Sequence, residues 1–511
     1  MRAPMTGSTC PPTCKRPLAR AQLQLGAGVF LLTLAAYLLT ANGHVLGEDQ
    51  EYLFRMAHAL AQHGSFAIEP LGEGGAELGS YGVDGRFYSE YAPGFALALA
   101  PVGWVGEHLA GLLSPLEVDY KWFAGDDPDV ASRFLTSYAN AFVVAATAAV
   151  LAQLVLRLGY SPSAALFTVF AFAFATFAWG HARILFADPL QMLLLLVTCV
   201  LVMQPGRWGI PLGGAALFYA VLVKLTSLLA LPAVLLLPDG QGRPLWRCPA
   251  ATALVLAWVA IAVACQAAYN VGRFGSPLDA GAYGNAVSTA GFWASFHADA
   301  NPWQAIVTLL FSPGRGLVFY APPVLAAAVC ARRFWRRNPQ VACAFVALII
   351  PWLAFHALYW GWDGGWGWGP RYLLPLLPFL LVPLAEGWGD RRFRDLGLAL
   401  VAFGLFVQLS GATTDFMEAN QRMAEQVATQ CRAGPCIPHG RWADDFLPTR
   451  SDITTHLMML LKGRLDLAWL TYAGTWVMPI TFGLVACLAA TGAWLLLPAS
   501  ATMRVPRPSA V

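Results

Sequence analysis

The sequence predicts an all-α polytopic membrane protein of about twelve transmembrane helices, counting runs long enough to cross a hydrocarbon core of roughly 30 Å. Three observations carry that prediction. Hydrophobic residues fill 57% of the 511 positions and charged ones 12%, a balance that excludes an ordinary soluble domain. Apolar runs of spanning length recur from end to end, separated by Arg-rich or Gly/Pro/Trp-rich stretches. The weak alternation of a membrane barrel and a fixed-period repeat are both missing from the pattern.

The expected spans are 22–42, 132–156, 162–181, 187–204, 208–223, 225–238, 250–270, 316–331, 340–360, 372–389, 395–412 and 474–497. Lys15, Arg16 and Arg20 precede the first, and further clusters fall at Arg243/Arg247, Arg332/Arg333/Arg336/Arg337 and Arg391/Arg392/Arg394. With this set of spans every cluster, and also Arg157, Arg207, Arg504 and Arg507, lies on one side. Both termini are therefore expected in the cytoplasm and the first loop outside. The run 95–113 carries Glu107 and His108 and is read as a helix along or dipping into the outer leaflet, because a span there would invert the later arginine clusters. A span at 95–113 is the competing reading, and the split near Lys224 would change the count together with it. All carboxylates except Asp239, Glu386, Asp390 and Asp395 then lie outside, so the net charge of +3 hides an asymmetry and gives no reason for a nucleic-acid partner. Ala41 and Gly43 resemble a cleavage site, but the apolar run before them is longer than a signal peptide's, so the first span is expected to stay.

The chain thus divides into a cytoplasmic tail 1–21, a membrane core 22–412 with outer loops 43–131 and 271–315, an outer segment 413–473 of unknown role, a last span 474–497 and a tail 498–511. Among ten cysteines none has metal-ligand spacing. Cys431 and Cys436 bracket Arg-Ala-Gly-Pro on the outer side, where either a small disulfide loop or two free thiols fits.

Function is most visible just past the first span, in Gly47-Glu48-Asp49-Gln50-Glu51-Tyr52. Tyr52, Leu53, Met56, Ala59 and Leu60 follow at helical spacing and Gly64 closes the stretch, which predicts a juxtamembrane helix with Glu48 and Asp49 at its start. The macrodipole favours carboxylates there, and a purely structural helix N-terminus is the plain alternative. The same loop ends in Gly82-Val83-Asp84-Gly85-Arg86-Phe87-Tyr88-Ser89-Glu90-Tyr91-Ala92-Pro93-Gly94.

An acidic pair after the first span, a loop of this type and then an Ala/Leu/Pro-rich helix resemble the polytopic GT-C glycosyltransferases related to protein O-mannosyltransferases and aminoarabinose transferases (glycosyltransferase family 39-like). Later segments extend the resemblance over most of 22–385: Ala182 to Pro189, Val223 to Ser227, Phe311 to Leu317 and Trp362 to Tyr372. Segment 413–473 matches nothing in that pattern. The resemblance implies a GT-C-type bundle with its active face on the periplasmic or extracellular side of a bacterial inner membrane. It implies transfer of a sugar from a polyprenyl-phosphate donor to a hydroxyl of a lipid, polysaccharide or protein acceptor, with a first-loop acid as general base.

A hydroxyl attacking an anomeric carbon must lose its proton, and a carboxylate in hydrogen-bond reach can take it. The family writes the acidic pair as Asp-Glu, whereas this chain has Glu48-Asp49; Asp49 is favoured as the base, and only one of two helix neighbours is expected to face the acceptor. A leaving lipid phosphate needs cations. Lys224, in an apolar run, is costly unless functional, or else snorkels at a short turn. Arg371 can clamp phosphate bidentately or belong to an aromatic belt, and Arg183 can orient the carrier or pair with Asp188. Arg86, Tyr88 and Glu90 line the acceptor side if the loop folds back over Asp49 and are otherwise ordinary turn residues; with Tyr91 and Asp363 they are the expected substrate-binding set. Trp360, Trp362, Trp366 and Trp368 either stack on sugars or sit at the interface. His181, His356 and Asp363 are too scattered to predict a metal site, and a divalent cofactor stays an option. No Walker pattern or glycine fingerprint is found, in keeping with a lipid-linked donor. A lipid-linked-sugar transporter or an O-antigen-ligase-like protein lacking this base is the alternative.

Overall fold

A computed structural model of the chain describes residues 12–71, 78–109, 130–281, 301–359, 361–433 and 444–502, with side chains from 20 to 497. Among these residues six helices are long and apolar enough to cross a membrane: Arg20–Thr40, Val130–Arg157, Pro249–Phe274, Pro339–Leu358, Arg391–Gly411 and Val477–Leu497. Each coincides with an expected span. Four other expected spans are helical but shorter, over Pro162–Phe174, Asp188–Val202, Gly209–Val223 and Leu225–Leu236. The remaining two are broken. Leu317–Tyr320 and Pro323–Arg337 share one, and three short turns, Arg371–Leu376, Leu377–Leu381 and Val382–Gly387, make up the other. Pro375, Pro378 and Pro383 account for the latter, since each removes a helix-ladder donor.

The first helix packs against the last and against Ala139–Arg157. A Cβ on Gly28 would lie 2.9 Å from the Gly492 carbonyl oxygen, so the two backbones meet over small residues, as apolar helices in lipid do. Pro249–Phe274 and Val477–Leu497 are the least buried of the long helices and present apolar side chains outward.

Packed beside these helices is helix Glu48–His63, ended as expected by Gly64 in the left-handed region with φ 63°. Its buried face, Leu53, Phe54, Met56 and Ala57, meets Phe95, Ala96 and Leu99 of Pro93–His108. This second helix covers most of the run 95–113. Its Glu107 lies 3.3 Å from His58 of the first, which explains an acid in an otherwise apolar stretch. Between them the all-α expectation gains an exception: Ala67–Ile68, Gly79–Tyr81 and Phe87–Ser89 form a small antiparallel sheet with the last strand central. Asp84-Gly85 turns the hairpin, with Asp84 Oδ1 accepting from the Arg86 amide at 3.0 Å. Cys431 is disulfide-bonded; Cys436, its expected partner, lies outside the described residues.

Candidate active site

Two side chains of the juxtamembrane helix lock its first turn in place. Gln50 donates to the Leu46 carbonyl and accepts from the Leu185 amide at 2.8 Å. Glu51 is buried and receives both guanidinium nitrogens of buried Arg133, with Arg55 one turn on at 2.7 Å. Burial pushes the Glu51 carboxyl up, but Arg133 and then Arg55 outweigh it and hold it below the usual carboxylate range. With the turn fixed, Asp49 Oδ2 accepts from Arg371 at 2.6 Å and Oδ1 accepts from the Tyr91 hydroxyl.

Arg371 opens the broken span and follows the Gly/Trp-rich loop. Its guanidinium carbon stands 4.4 Å over the Phe186 ring. Asp49 supplies the counter-charge to this largely buried guanidinium. Its buried Nε has no partner among the described residues, so the fork keeps a donor to spare. Burial first and Asp49 second push the Tyr91 phenol well above its ordinary range, which keeps it a proton donor to that carboxylate. Tyr91 is set in place by the turn after it. A Cβ on Gly94 would lie 2.5 Å from the Val223 amide nitrogen, and the Gly94 carbonyl accepts from Tyr219 at 2.8 Å.

These groups face a cavity of about 600 Å³ lined by Glu48, Asp49, Asp363, Arg371 and a set of aromatic side chains, Phe186, Tyr359, Trp366, Tyr372 and Phe416. Glu48 and Asp49 both line it, where one was expected; the cavity meets the helix at its end, so side chains 100° apart both reach the space. Asp363 borders it, with Oδ1 accepting from the Gly365 amide at 3.2 Å. Lys224 is not among the lining residues and adjoins the cavity through Tyr372, its Nζ 4.6 Å from that ring's centroid. It sits at a true break: the helix ends at Val223, Lys224 is extended, and a 3-10 turn follows. Its partner is Asp188, at 2.7 Å.

Several expected positions are elsewhere. Arg183 is buried and pairs with Asp466 at 2.5 Å, not with Asp188; it also donates to the Thr414 carbonyl. The chain turns between Arg183 and Asp188, so the two point to different neighbours. Arg86 is exposed at the hairpin, 3.9 Å from Asp84. Tyr88, also of the hairpin, donates to Asp84 at 2.7 Å. The hairpin carries both away from the cavity. Glu90 does not line it, though its charge adds to the field on Tyr91. Trp366 reaches the cavity, whereas buried Trp368 hydrogen-bonds Gln408, and Trp360 lies outside the described residues. No group of His, Cys, Asp or Glu suited to a metal occurs among the described residues.

Segment 413–473, to which the sequence assigned no role, supplies Phe416, Met417 and Gln421 to the cavity wall. It is tied down by buried polar contacts. Asp466 joins Arg183 to His44 at 2.7 Å, Thr414 bonds His456 at 2.6 Å, and Arg315 reaches Asp452 at 3.7 Å while donating to the Gly367 carbonyl at 2.9 Å. Nothing local in the sequence marks these pairs.

The tie is sensitive to protons. Burial lowers the His44 pKa, but Asp466 outweighs it and the net shift is upward. Burial and then Asp466 raise Asp415, the residue that accepts from the Met417 and Glu418 amides at the start of helix Phe416–Ala433. Both groups bind protons more readily in the folded chain: the Asp415 contribution is full below about pH 4 and is lost as pH rises through about 6, and the His44 contribution is lost only above the ordinary imidazole range. Asp466 itself, held below its ordinary range by His44 and Arg183 against burial, acts oppositely and only in stronger acid. His456 of the same segment, pushed down to about 3 by burial, acts in the opposite sense as pH rises toward about 6.5, so the wild-type slope does not isolate this tie and a variant is needed to read it. The thermal midpoint of Asp415→Asn relative to wild type is expected to rise between about pH 4 and pH 6, as the wild-type carboxyl ionises beside Asp466, and a difference that stays constant across that range contradicts the assignment.

No known family profile matches the chain, and no curated protein does. The chain is similar to the crystal structure of ArnT from Cupriavidus metallidurans in the apo state, at 15% identity and a TM-score of 0.46, over 95% of this chain and 78% of that one. It is likewise similar to the same protein bound to undecaprenyl phosphate, at 15% identity and a TM-score of 0.43, over 93% and 77%.

Proposed function

We propose that this chain is a membrane glycosyltransferase that moves a sugar from a polyprenyl phosphate to a hydroxyl acceptor, at the periplasmic face of a bacterial inner membrane. The observation that carries the reading is the meeting of Asp49 with Arg371 in one aromatic-lined cavity, 2.6 Å apart although 322 residues separate them in sequence. A carboxylate at the mouth of a membrane bundle supports general-base work, and a guanidinium with a spare donor supports phosphate binding.

In the proposed reaction the acceptor oxygen forms a bond to the anomeric carbon. The bond from that carbon to the phosphate oxygen breaks, its electron pair staying on the phosphate, and the acceptor proton passes to Asp49. The leaving phosphate gains one negative charge, which Arg371 and Lys224, both close to the Tyr372 ring, are suited to offset. Both oxygens of Asp49 are engaged, by Arg371 and Tyr91. A phosphate arriving at Arg371 competes for the guanidinium and frees one oxygen for the proton. Asp188 plays the same part for Lys224, as the anion the phosphate must outbid. Glu48, beside the base, and Asp363, across the cavity, remain to hold hydroxyls of the sugar or acceptor.

Mass analysis of lipids, glycans and proteins from a deletion strain and its complemented partner tests the reading. The expected result is loss of one sugar mass from a single fraction. An unchanged glycan profile with altered small-molecule uptake would point instead to a transporter.

A further inference from the structure

The cavity has two unlike sides. Arg371 and Tyr372 form one, with Lys224 behind the Tyr372 ring. The other is the start of helix Phe416–Ala433, which brings Phe416, Met417 and, one turn on, Gln421. That helix abuts the base: a Cβ on Gly47 would lie 3.2 Å from the Met417 sulfur and 3.8 Å from the Phe416 ring. Phe416 and Met417 therefore border the same space as Asp49.

The wall's chemistry is neutral. Among the described residues segment 413–473 lends the cavity a phenyl ring, a thioether and a carboxamide, and no ionisable side chain. The rest of the lining holds three carboxylates, Glu48, Asp49 and Asp363, against the single guanidinium of Arg371. Once a donor phosphate takes Arg371, no described lining cation is left for a second phosphate, and an anionic acceptor would face carboxylates. A carboxamide donates and accepts at once, matching neighbouring hydroxyls, and the aromatic faces suit the C–H side of a sugar ring.

Resting on the transferase reading, we propose that Met417 and Gln421 form an acceptor-selecting wall and that the acceptor is an uncharged sugar hydroxyl of a glycan. Buried Arg183–Asp466 and Arg315–Asp452 contacts hold the segment that carries the wall, so its shape is set independently of any ligand.

The test compares deletion strains complemented with the wild-type gene, Asp49→Asn, Gln421→Leu or Met417→Phe, with neutral glycan, phosphate-bearing lipid and protein fractions analysed separately by mass. Purified variants are checked for a thermal shift with undecaprenyl phosphate. The expected result is a wild-type-dependent sugar on neutral glycan, absent with Asp49→Asn and reduced about tenfold or more with Gln421→Leu while the lipid-phosphate shift persists. Met417→Phe, which narrows the wall without touching Gln421, should give a similar loss and replaces Gln421→Leu if that variant does not fold. A sugar found on phosphate-bearing lipid or on protein overturns the glycan acceptor alone. Full incorporation by both wall variants overturns the wall. No difference in any fraction overturns the transferase reading and this proposal with it.

Discussion

Replacing Asp49 by asparagine is expected to cut sugar transfer about 10²- to 10⁴-fold while a polyprenyl phosphate binds at least as well as before. The amide keeps the size of the side chain and can still bond Tyr91, but it cannot take a proton from the attacking hydroxyl. It also gives up the negative charge that holds Arg371 at 2.6 Å, so the guanidinium turns more readily to phosphate. The two readouts therefore move in different directions. They are measured by incorporation of the transferred sugar in cells and by thermal stabilisation of the purified protein with the lipid phosphate. Glu48→Gln is the companion variant: both acids line the cavity, but only Asp49 is seen gripped between the expected phosphate clamp and a neutral phenol. Transfer that survives Asp49→Asn and fails with Glu48→Gln would move the base to Glu48.

Arg371→Ala is expected to lose both readouts, with transfer down about 10²- to 10³-fold and lipid-phosphate stabilisation gone. The guanidinium touches Asp49, stacks over Phe186 and has Nε to spare, and no other described lining residue of the cavity carries a positive charge. Arg371→Lys should restore only part of the loss, because an ammonium is a point charge and cannot span a carboxylate and a phosphate with one planar fork. Loss of the lipid-phosphate stabilisation with Lys224→Ala, and none with Arg371→Ala, would assign the phosphate to Lys224 alone.

The local features of the site were readable because they depend on neighbours in sequence. Helical spacing from Tyr52 to Leu60 and a closing glycine are enough to draw the helix that presents Asp49, and left-handed backbone at Gly64 ends it as the residue type suggests. Lys224 announced itself by the cost of an ammonium in an apolar run, and the chain does break there. Residues whose role depends on a distant partner were misread. Arg183 was set beside Asp188 because they are close in sequence, yet Asp466 neutralises it and Lys224 neutralises Asp188. Arg86 and Tyr88 sit in a motif with the right letters, but the Asp84-Gly85 hairpin holds them away from the cavity, Arg86 exposed and Tyr88 buried, while Tyr91, three residues past Tyr88, reaches Asp49.

By itself the sequence determined a polytopic helical class, the position of most apolar helices, and the acid and the cations worth suspecting. Those follow from hydropathy, periodicity and the price of charge in an apolar run, all of which act locally. Only the tertiary structure decided which charges meet, that 413–473 walls the cavity, and that Asp49 and Arg371 share it. A pairing between side chains hundreds of residues apart depends on how the helices stack, and no short window of sequence contains that information.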